Sequence, residues 1–285
     1  MDKLTSHRHR SSPNDRTRVF HELHRAGCFV IPNPWDVGAA RLLEQLGFPA
    51  LATTSSGFAW SLGRPDNTVT LDEALAHLRV MSASVDVPFN ADFEGGFATE
   101  PDAVATNVAA ATQTGIAGLS IEDSTGDAAA PLFDFELAVD RIRAARGAID
   151  DSGTNVLLTG RSEGFVVGRP DLKETIRRLT AYADAGADCL FAPGLRAIAD
   201  ISAVVSSVAP KPLNVLVSTD FTTVAELEQL GVRRISVGGA LARAAWGAFL
   251  EAATEIRERG TFTRLAAAIP SLDRRFADGS RGQVS

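Results

Sequence analysis

The sequence predicts a (β/α)8 barrel, in which eight parallel strands are surrounded by helices. Two observations carry this prediction. Eight apolar, strand-like segments alternate with helix-length segments without interruption, which indicates a parallel sheet covered by helices. No glycine-rich nucleotide-binding turn follows any of these segments. A doubly wound open sheet is the alternative, but eight units without such a turn favour closure into a barrel.

The composition indicates one large soluble domain, since 45% of the 285 residues are hydrophobic and 22% are charged. A formal net charge of −7 argues against a nucleic-acid partner. No apolar run reaches membrane-spanning length, and the polar, basic N-terminus lacks the apolar core of a secretory signal. Cys28 and Cys189 lie in apolar segments, as buried free thiols of a reducing compartment do, so we predict a cytoplasmic protein.

Three regions are predicted along the chain. Residues 1–16 form a flexible N-terminal arm, residues 17–260 form the barrel, and residues 261–285 form a C-terminal helix and tail. The C-terminal surplus is expected either to pack on a neighbouring subunit or to be partly disordered.

Each predicted strand is a short apolar run bounded by turn residues. The runs lie at residues 28–32, 50–54, 89–92, 119–122, 155–161, 188–192, 213–217 and 234–237. The third, fourth and fifth runs end in Asp92, Glu122 and Arg161. These strands therefore carry charge to the edge of the sheet at which they end.

The predicted helices follow from apolar periodicity and from start and stop residues. Thr70 and Glu73 have the spacing of a capping box, and Gly47 ends the preceding helix. Loops are predicted at 55–67 and 124–131, after the second and fourth strands. The helices lie at 17–26, 36–46, 70–84, 102–114, 135–149, 171–185, 195–207, 223–230 and 240–259.

Carboxylates cluster after the third and fourth strands, where Asp92, Glu94, Glu122 and Asp123 are predicted to converge. Clustered carboxylates raise each other's pKa unless a cation lies among them. Hard oxygen ligands without His or Cys favour Mg²⁺ or Mn²⁺. The alternative is that these acids cap the helices that follow each strand. For Asp123, a capping or supporting role is more common than a role as metal ligand.

Several classes of active site are excluded by what the sequence lacks. All five histidines lie in the first third of the chain and none ends a predicted strand, which argues against a His-ligated metal or a catalytic triad. The three lysines, Lys3, Lys173 and Lys211, lie outside the predicted barrel interior, which argues against Schiff-base chemistry. Function is therefore expected from the polar residues at the strand C-termini. These are Ser55, Ser56, Gly57, Asp66, Asp92, Glu94, Glu122, Arg161, Glu163 and Asn214.

Six short motifs together resemble the isocitrate lyase/phosphoenolpyruvate mutase superfamily. They are Thr54-Ser55-Ser56-Gly57, Pro65-Asp66, Ala91-Asp92-Phe93-Glu94-Gly95-Gly96, Ile121-Glu122-Asp123, Gly160-Arg161-Ser162-Glu163 and Val237-Gly238-Gly239-Ala240. The resemblance covers roughly residues 17–260. It implies a barrel, a Mg²⁺ ion, a small 2-oxo or 2-hydroxy carboxylate or phosphonate substrate, and a tetramer that exchanges its eighth helix between subunits.

The resemblance also implies roles for individual residues. Ser56 and Gly57, with Ser55, match a cradle for the substrate carboxylate, and Asn214 matches a polar substrate contact. Asp92 and Glu122 match acids that hold the metal, and Asp66 matches an acid near it. Arg161 matches the clamp for the substrate carboxylate or phosphonate, with pairing to Glu122 or Glu163 as its alternative, structural role.

Three departures from the family pattern affect the expected reaction. Asn90 stands where a direct metal ligand is expected, and Glu94 is a candidate to compensate for its missing charge. The loop at 124–131 lacks the Cys of the lyases and the Lys and Asn of the mutases. The sixth strand runs into Ala192-Pro193-Gly194 without the mutase His.

Three functions remain open on the sequence. The first is a Mg²⁺-dependent lyase that cleaves or decarboxylates a small 2-oxo or 2-hydroxy dicarboxylate through an enolate. The second is a phosphonopyruvate-type mutase or hydrolase that breaks a P–C bond. The third is a barrel that binds a small carboxylate without turnover. A homo-oligomer, dimer or tetramer, is expected in each case.

Overall fold

Eight strands form one parallel sheet in the computed structural model, which describes residues 11–269 and 271–277. The strand order is β1-β8-β7-β6-β5-β4-β3-β2, so sequential strands are neighbours around the sheet. The strands are β1 (Phe29–Ile31), β2 (Leu51–Ala52), β3 (Phe89–Asp92), β4 (Gly118–Glu122), β5 (Leu157–Arg161), β6 (Cys189–Phe191), β7 (Leu213–Leu216) and β8 (Arg234–Ser236).

The sheet curls into a nearly closed barrel, which confirms the predicted fold. β1 pairs with β8, and β2 pairs with β3, so the remaining gap lies between β1 and β2. The Ala52 amide donates to the Pro32 carbonyl at 3.1 Å across this gap. Asn33 also helps to close the barrel here. Its Nδ2 donates to the Thr53 carbonyl at 2.7 Å, and its Oδ1 accepts from the amides of Val237 and Gly238.

Helices surround the barrel in the predicted alternation. They are α1 (Pro13–Leu23), α2 (Val37–Gln45), α3 (Ser55–Ser61), α4 (Leu71–Ser84), α5 (Pro101–Thr112), α6 (Phe135–Ser152), α7 (Leu172–Asp184), α8 (Ile198–Val208), α9 (Val224–Gln229) and α10 (Ala240–Arg259), followed by a 3₁₀ helix (Thr263–Ala267) and α11 (Leu272–Ala277). The capping box predicted at Thr70 and Glu73 is present at the start of α4.

The chain buries its apolar side chains between the sheet and the helices. Strand residues alternate between the two faces of the sheet, as β4 illustrates. Leu119 and Ile121 point outward into the main hydrophobic cluster, whereas Ser120 lines the barrel interior. Asn90, Asn214 and Arg234 also face the interior, so the barrel encloses a cavity lined by both polar and apolar side chains.

The first helix begins four residues earlier than predicted, at Pro13 and not at 17. Ser12 caps it by accepting from the Asp15 amide, and Pro13 is suited to the first helical turn. Arg16 is buried and donates to the carbonyls of Ser82 and Val85. A polar first turn gives no apolar periodicity, which is why the sequence indicated an arm here. The remainder of the predicted arm, 1–10, lies outside the described residues.

The loop predicted at 55–67 is wrong in its first half, because α3 occupies residues 55–61. Thr54 caps this helix, its Oγ1 accepting from the Gly57 amide at 3.2 Å. Gly57 lowers intrinsic helix propensity, which made the segment resemble a loop. The glycine is required by packing, since a Cβ there would lie 2.6 Å from Thr54 Cγ2 and 3.0 Å from Trp35 Cβ.

Two further predictions concern the cysteines and membranes. Cys28 is half-buried, Cys189 is buried, and both are free thiols. In the part of the chain that the structure describes, no helix combines the length and apolar character needed to cross a membrane. The helix predicted within 261–285 corresponds to the 3₁₀ helix Thr263–Ala267, and α11 follows it. Residues 270 and 278–285 lie outside the described residues.

Candidate active site

A cavity of about 310 Å³ opens at the carboxyl-terminal ends of the strands. This is the edge at which barrel proteins place their functional residues. Seven of the predicted site residues line it, together with two arginines that were not predicted. The lining includes Ser55, Ser56, Asp66, Asn90, Asp92, Arg161, Asn214, Arg234 and Arg243.

Arg161, the last residue of β5, lies among three carboxylates. Its Nη1 is 3.1 Å from Asp92 Oδ1 and 3.1 Å from Glu122 Oε2, and its Nε donates to Glu163 Oε1. Burial by itself would lower the pKa of Arg161, but these acids raise it well above its ordinary value. The guanidinium is therefore a fixed positive charge at the barrel mouth. The sequence predicted the pairing with Glu122 and Glu163, and the structure adds Asp92.

Glu122 and Glu163 are buried beside Arg161. Burial raises the pKa of Glu122 well above its ordinary value and also raises that of Glu163, although Arg161 opposes both shifts. The neighbouring Asp123 has a structural role, as expected for an acid behind the site. Its Oδ1 accepts from the Glu163 amide at 2.7 Å, and its Oδ2 accepts from the Tyr182 hydroxyl at 2.6 Å.

Asp92 connects β3 to the start of α3. Its Oδ2 accepts from the Ser55 amide at 2.9 Å, while its own amide donates to Thr53 Oγ1 at 2.7 Å. The amide of Ser55, a residue that the resemblance placed in the carboxylate cradle, thus donates to Asp92. The Ser55 and Ser56 side chains reach the cavity, and Ser56 Oγ lies 3.0 Å from Thr54 Oγ1.

Gly57 is placed differently from the sequence-based expectation. Its amide donates to Thr54 Oγ1 at 3.2 Å, and the residue is buried beside Trp35. It is absent from the cavity lining. Gly57 therefore permits the close packing of α3, and the structure does not bring it together with the other candidate residues.

Glu94 and Asp66 add two acids at the rim. Glu94 has a φ of 47°, which is strained for a residue with a side chain, and such strain is common at functional sites. Burial, together with the charges of Asp92 and Asp66, raises the pKa of Glu94 to about 7. Partial burial and Asp92 likewise raise the pKa of Asp66. Glu94 lines a small side cavity that also contains Ser55 and His77.

Asn90 lies two residues deeper on β3 than Asp92. Its Nδ2 donates to the Ala91 carbonyl at 3.2 Å, and its buried Oδ1 has no partner among the described residues. The amide lines the barrel interior below the acids. Asp92, which ends β3, and Glu94, two residues after it, lie nearer the mouth than Asn90 does.

Polar residues of β7 and β8 form the floor of the cavity. Asn214 Oδ1 accepts from Arg234 Nε at 2.9 Å, and its Nδ2 donates to Ser236 Oγ at 2.9 Å. Because arginine can only donate, this contact fixes which way the Asn214 amide faces. Arg234 and Ser236 were missed, although two polar residues at inward-facing positions of an apolar strand were a visible signal.

The oxygen donors at the mouth fit a hard divalent cation in kind. Burial first, and then the neighbouring acids, raise the pKa of Glu94 and of Glu122, so a bound cation would stabilise the ionised form of both carboxyls. Among the described residues, no three His, Cys, Asp or Glu side chains are grouped as metal ligands, and Arg161 lies between Asp92 and Glu122. The carboxylate oxygens suit Mg²⁺ in kind. In this structure, however, Asp92 and Glu122 both pair with Arg161.

A family model described as phosphoenolpyruvate phosphomutase matches residues 20–257. The chain belongs to this family. An oxaloacetate decarboxylase of Bradyrhizobium diazoefficiens is 30% identical over 203 residues, which cover 66% of this chain and 69% of that protein. The chain also matches 2-methylisocitrate lyases and a phosphonopyruvate hydrolase at 29% to 34% identity. Membership in the phosphomutase family, with these relatives, supports an activity of the lyase or mutase type.

Solved structures of phosphomutase-family relatives share the barrel. A crystal structure from Burkholderia cenocepacia, assigned as a lyase or mutase, has a TM-score of 0.91 and 46% identity, covering 95% of this chain and 98% of that one. Oxaloacetate acetylhydrolase with its product oxalate has a TM-score of 0.83 and 25% identity, covering 94% of each chain.

Proposed function

We propose that this protein is a Mg²⁺- or Mn²⁺-dependent lyase that cleaves or decarboxylates a small 2-oxo or 2-hydroxy dicarboxylic acid of the oxaloacetate type. The observation that carries the proposal is Arg161, a half-buried cation held by Asp92, Glu122 and Glu163 at the mouth of a small cavity. A guanidinium there suits bidentate recognition of a carboxylate. Relatives that act on oxaloacetate support this substrate class.

Asp92, Glu122 and Glu94 are the residues that would hold the cation, directly or through water. A divalent cation in this position would supply Lewis-acid stabilisation of negative charge that develops on the 2-oxo oxygen. Binding there would also offset the burial and the repulsion from Asp92 and Asp66 that together raise the pKa of Glu94. Asn90, lying deeper in the barrel, is better placed to face substrate or water than to hold the ion.

The protein's own residues bind and orient the substrate in this scheme. Arg161 binds one carboxylate through parallel hydrogen bonds, while the hydroxyls of Ser55 and Ser56 and the free N–H of Asn214 fix the remaining oxygens. Asp66, at the rim, is placed to exchange a proton with solvent. In a decarboxylation, the bond from C3 to its carboxyl carbon breaks, its electron pair forms the enolate, CO₂ leaves, and C3 then takes up a proton.

The test is turnover of oxaloacetate with Mg²⁺, followed by NMR, which separates pyruvate from the hydrolytic products oxalate and acetate. Mg²⁺ alone promotes slow decarboxylation, so the protein-dependent rate must be compared between variants. We expect turnover to be lost in Arg161→Lys and retained in Arg143→Lys, which alters an exposed arginine of α6. Equal rates for both variants and for Mg²⁺ alone would overturn the proposal.

Two other outcomes would replace the proposal with another function. Release of inorganic phosphate from phosphonopyruvate, without turnover of oxaloacetate, would identify a P–C bond enzyme like the phosphonopyruvate hydrolase relative. Stabilisation of the protein by oxalate, without turnover of any 2-oxo acid, would identify a barrel that only binds small carboxylates. The loop at 124–131 has no Cys, Lys or Asn and does not line the cavity, which is compatible with either of these two functions.

A further inference from the structure

The floor of the cavity contains a buried arginine that the proposed chemistry does not use. Arg234, the first residue of β8, is 3% exposed and lines the cavity. Its Nε donates to Asn214 Oδ1 at 2.9 Å, its Nη2 donates to Thr159 Oγ1 at 3.1 Å, and its Nη1 lies 3.3 Å from His24 Nε2. All three partners are neutral groups.

The charge of Arg234 is not balanced by any acid of the described residues. Burial lowers its pKa, and Cys189 is the group that opposes this shift. His24 is not a counterion for Arg234, because burial lowers the pKa of His24 to about 3 and leaves the imidazole neutral. Arg161 and Arg178, by contrast, each contact carboxylates. A buried charge without a counterion is costly, which points to an anion that this site binds.

Arg234 also has two N–H groups that make none of these contacts. A guanidinium carries five N–H groups, and the three contacts above leave one N–H on each of Nη1 and Nη2. The hydroxyls of Ser120 and Ser236 line the same part of the cavity, as does Asn90 with its unpartnered buried Oδ1. The floor thus offers fork-shaped donors for a carboxylate and acceptors for a substrate hydroxyl or a water.

The separation of Arg161 and Arg234 along the barrel suits a small dianion. Arg234 contacts Thr159, which lies two residues before Arg161 on the same strand. Two residues of strand correspond to roughly 7 Å along β5. A dicarboxylate that is bound at the mouth by Arg161 can therefore extend its other end toward the floor.

We propose that Arg234 forms an inner anion subsite, with the hydroxyls of Ser120 and Ser236, that binds the distal carboxylate of a dicarboxylate substrate. This inference rests on the proposed function for the other end of the substrate, which is bound at Arg161. The subsite makes the enzyme selective for dianions long enough to reach both arginines. Oxalate, whose two carboxylates are directly bonded, occupies the mouth alone.

The test measures binding of succinate and of oxalate by calorimetry in the presence of Mg²⁺. We expect Arg234→Met to weaken succinate binding at least tenfold and to change oxalate binding less than twofold. Thr159→Val, which removes one neutral hydrogen bond but keeps the charge, should change the affinity for either ligand less than twofold. Unchanged succinate affinity in Arg234→Met, or an equal loss for both ligands, would show that Arg234 is structural.

The proposal remains testable if Arg234→Met does not fold. A crystal structure of the wild-type protein with succinate should then place one carboxylate within hydrogen-bond distance of the Arg234 terminal nitrogens. Succinate bound away from Arg234 would overturn the subsite.

Because succinate binding needs no turnover, an Arg234-dependent succinate site in a protein inert toward oxaloacetate would reject the proposed function alone. Oxaloacetate turnover with an unchanged kcat/KM in Arg234→Met would reject the subsite alone.

Discussion

Arg161 has three acidic neighbours, so replacing it tests whether its role is binding or structure. Arg161→Lys keeps the charge but loses the fork that binds a carboxylate through two bonds. Truncating a buried charged contact typically costs about 2–5 kcal/mol. We therefore expect at least tenfold weaker oxalate binding by calorimetry with Mg²⁺ present, with an intact fold by circular dichroism. Equal oxalate affinity would assign Arg161 a structural role within its acid cluster.

Asp92 is the acid that we expect a divalent cation to need most. It is the β3 carboxylate that lines the cavity, and it contacts both Arg161 and the Ser55 amide. Asp92→Ala should abolish the rise in melting temperature that Mg²⁺ or Mn²⁺ causes in the wild-type protein. Asp72→Asn, in the exposed first turn of α4, is the matched control. Undiminished metal stabilisation in Asp92→Ala would place the ion elsewhere.

Glu94 should make the metal-free protein less stable as the pH rises. Its pKa rises from an ordinary value of 4.5 to about 7, so the folded state holds this proton more tightly than the unfolded state. The stability contribution is thus full below pH 4.5 and is lost as the pH rises toward 7. Glu94→Gln should therefore unfold at higher denaturant concentration than wild type above pH 7 without metal, and show no such gain below pH 4.5.

The control for that experiment is Glu100→Gln, which alters an exposed acid before α5. This variant should follow the wild-type stability curve across the pH range. A Glu94→Gln curve that also runs parallel to wild type would show that folding does not raise the pKa of Glu94.

At the scale of elements, α3 fixes the geometry of the rim through its cap. Thr54 Oγ1 accepts from the Gly57 amide, and the next residue donates its amide to Asp92. Removing a Thr cap costs about 1 kcal/mol of stability. Thr54→Val should lose about that much in urea unfolding and should also weaken oxalate binding. Thr70→Val, which uncaps α4 away from the cavity, should lose comparable stability and keep its oxalate affinity.

At the scale of the whole molecule, α10 is left largely unburied by its own barrel. Of its 20 residues, only Ala242 and Glu255 are buried, while Phe249 and Leu250 are 65% and 60% exposed. Monomeric barrel helices present a polar outer face, so apolar residues of this size indicate a partner. We expect a homotetramer, or at least a dimer, that contacts through α10.

Light scattering at micromolar concentration should therefore give a mass at least twice that of the 30.1 kDa chain. The double variant Phe249→Glu with Leu250→Glu should dissociate, because charges would be placed in the buried contact. Lys173→Glu, on the exposed side of α7, is the control and should keep the wild-type mass. A monomeric wild-type protein would reject the oligomer.

The sequence by itself determined the barrel, the order of its strands and the edge at which its acids lie. These features follow from local patterns, because apolar runs, helix periods and the residue that ends a strand are read within a few positions. Asp92, Glu122 and Arg161 were found in this way, since each ends a strand and parallel strands share one edge. The helix predicted at 240–259 was likewise read from the sequence, and it corresponds to α10.

Only the tertiary structure decided how these residues pair. Arg161 contacts Asp92 across 69 positions of the chain, and Arg234 contacts His24 across 210, so no local pattern encodes either pair. A helix that Thr54 caps, and that packs beside Trp35 at Gly57, occupies a segment whose glycine indicated a loop. The barrel also separated Asn90 from Asp92 by depth, because residues two apart on a strand face the same interior at different levels. Long-range packing, and not propensity, thus set the chemistry of the cavity.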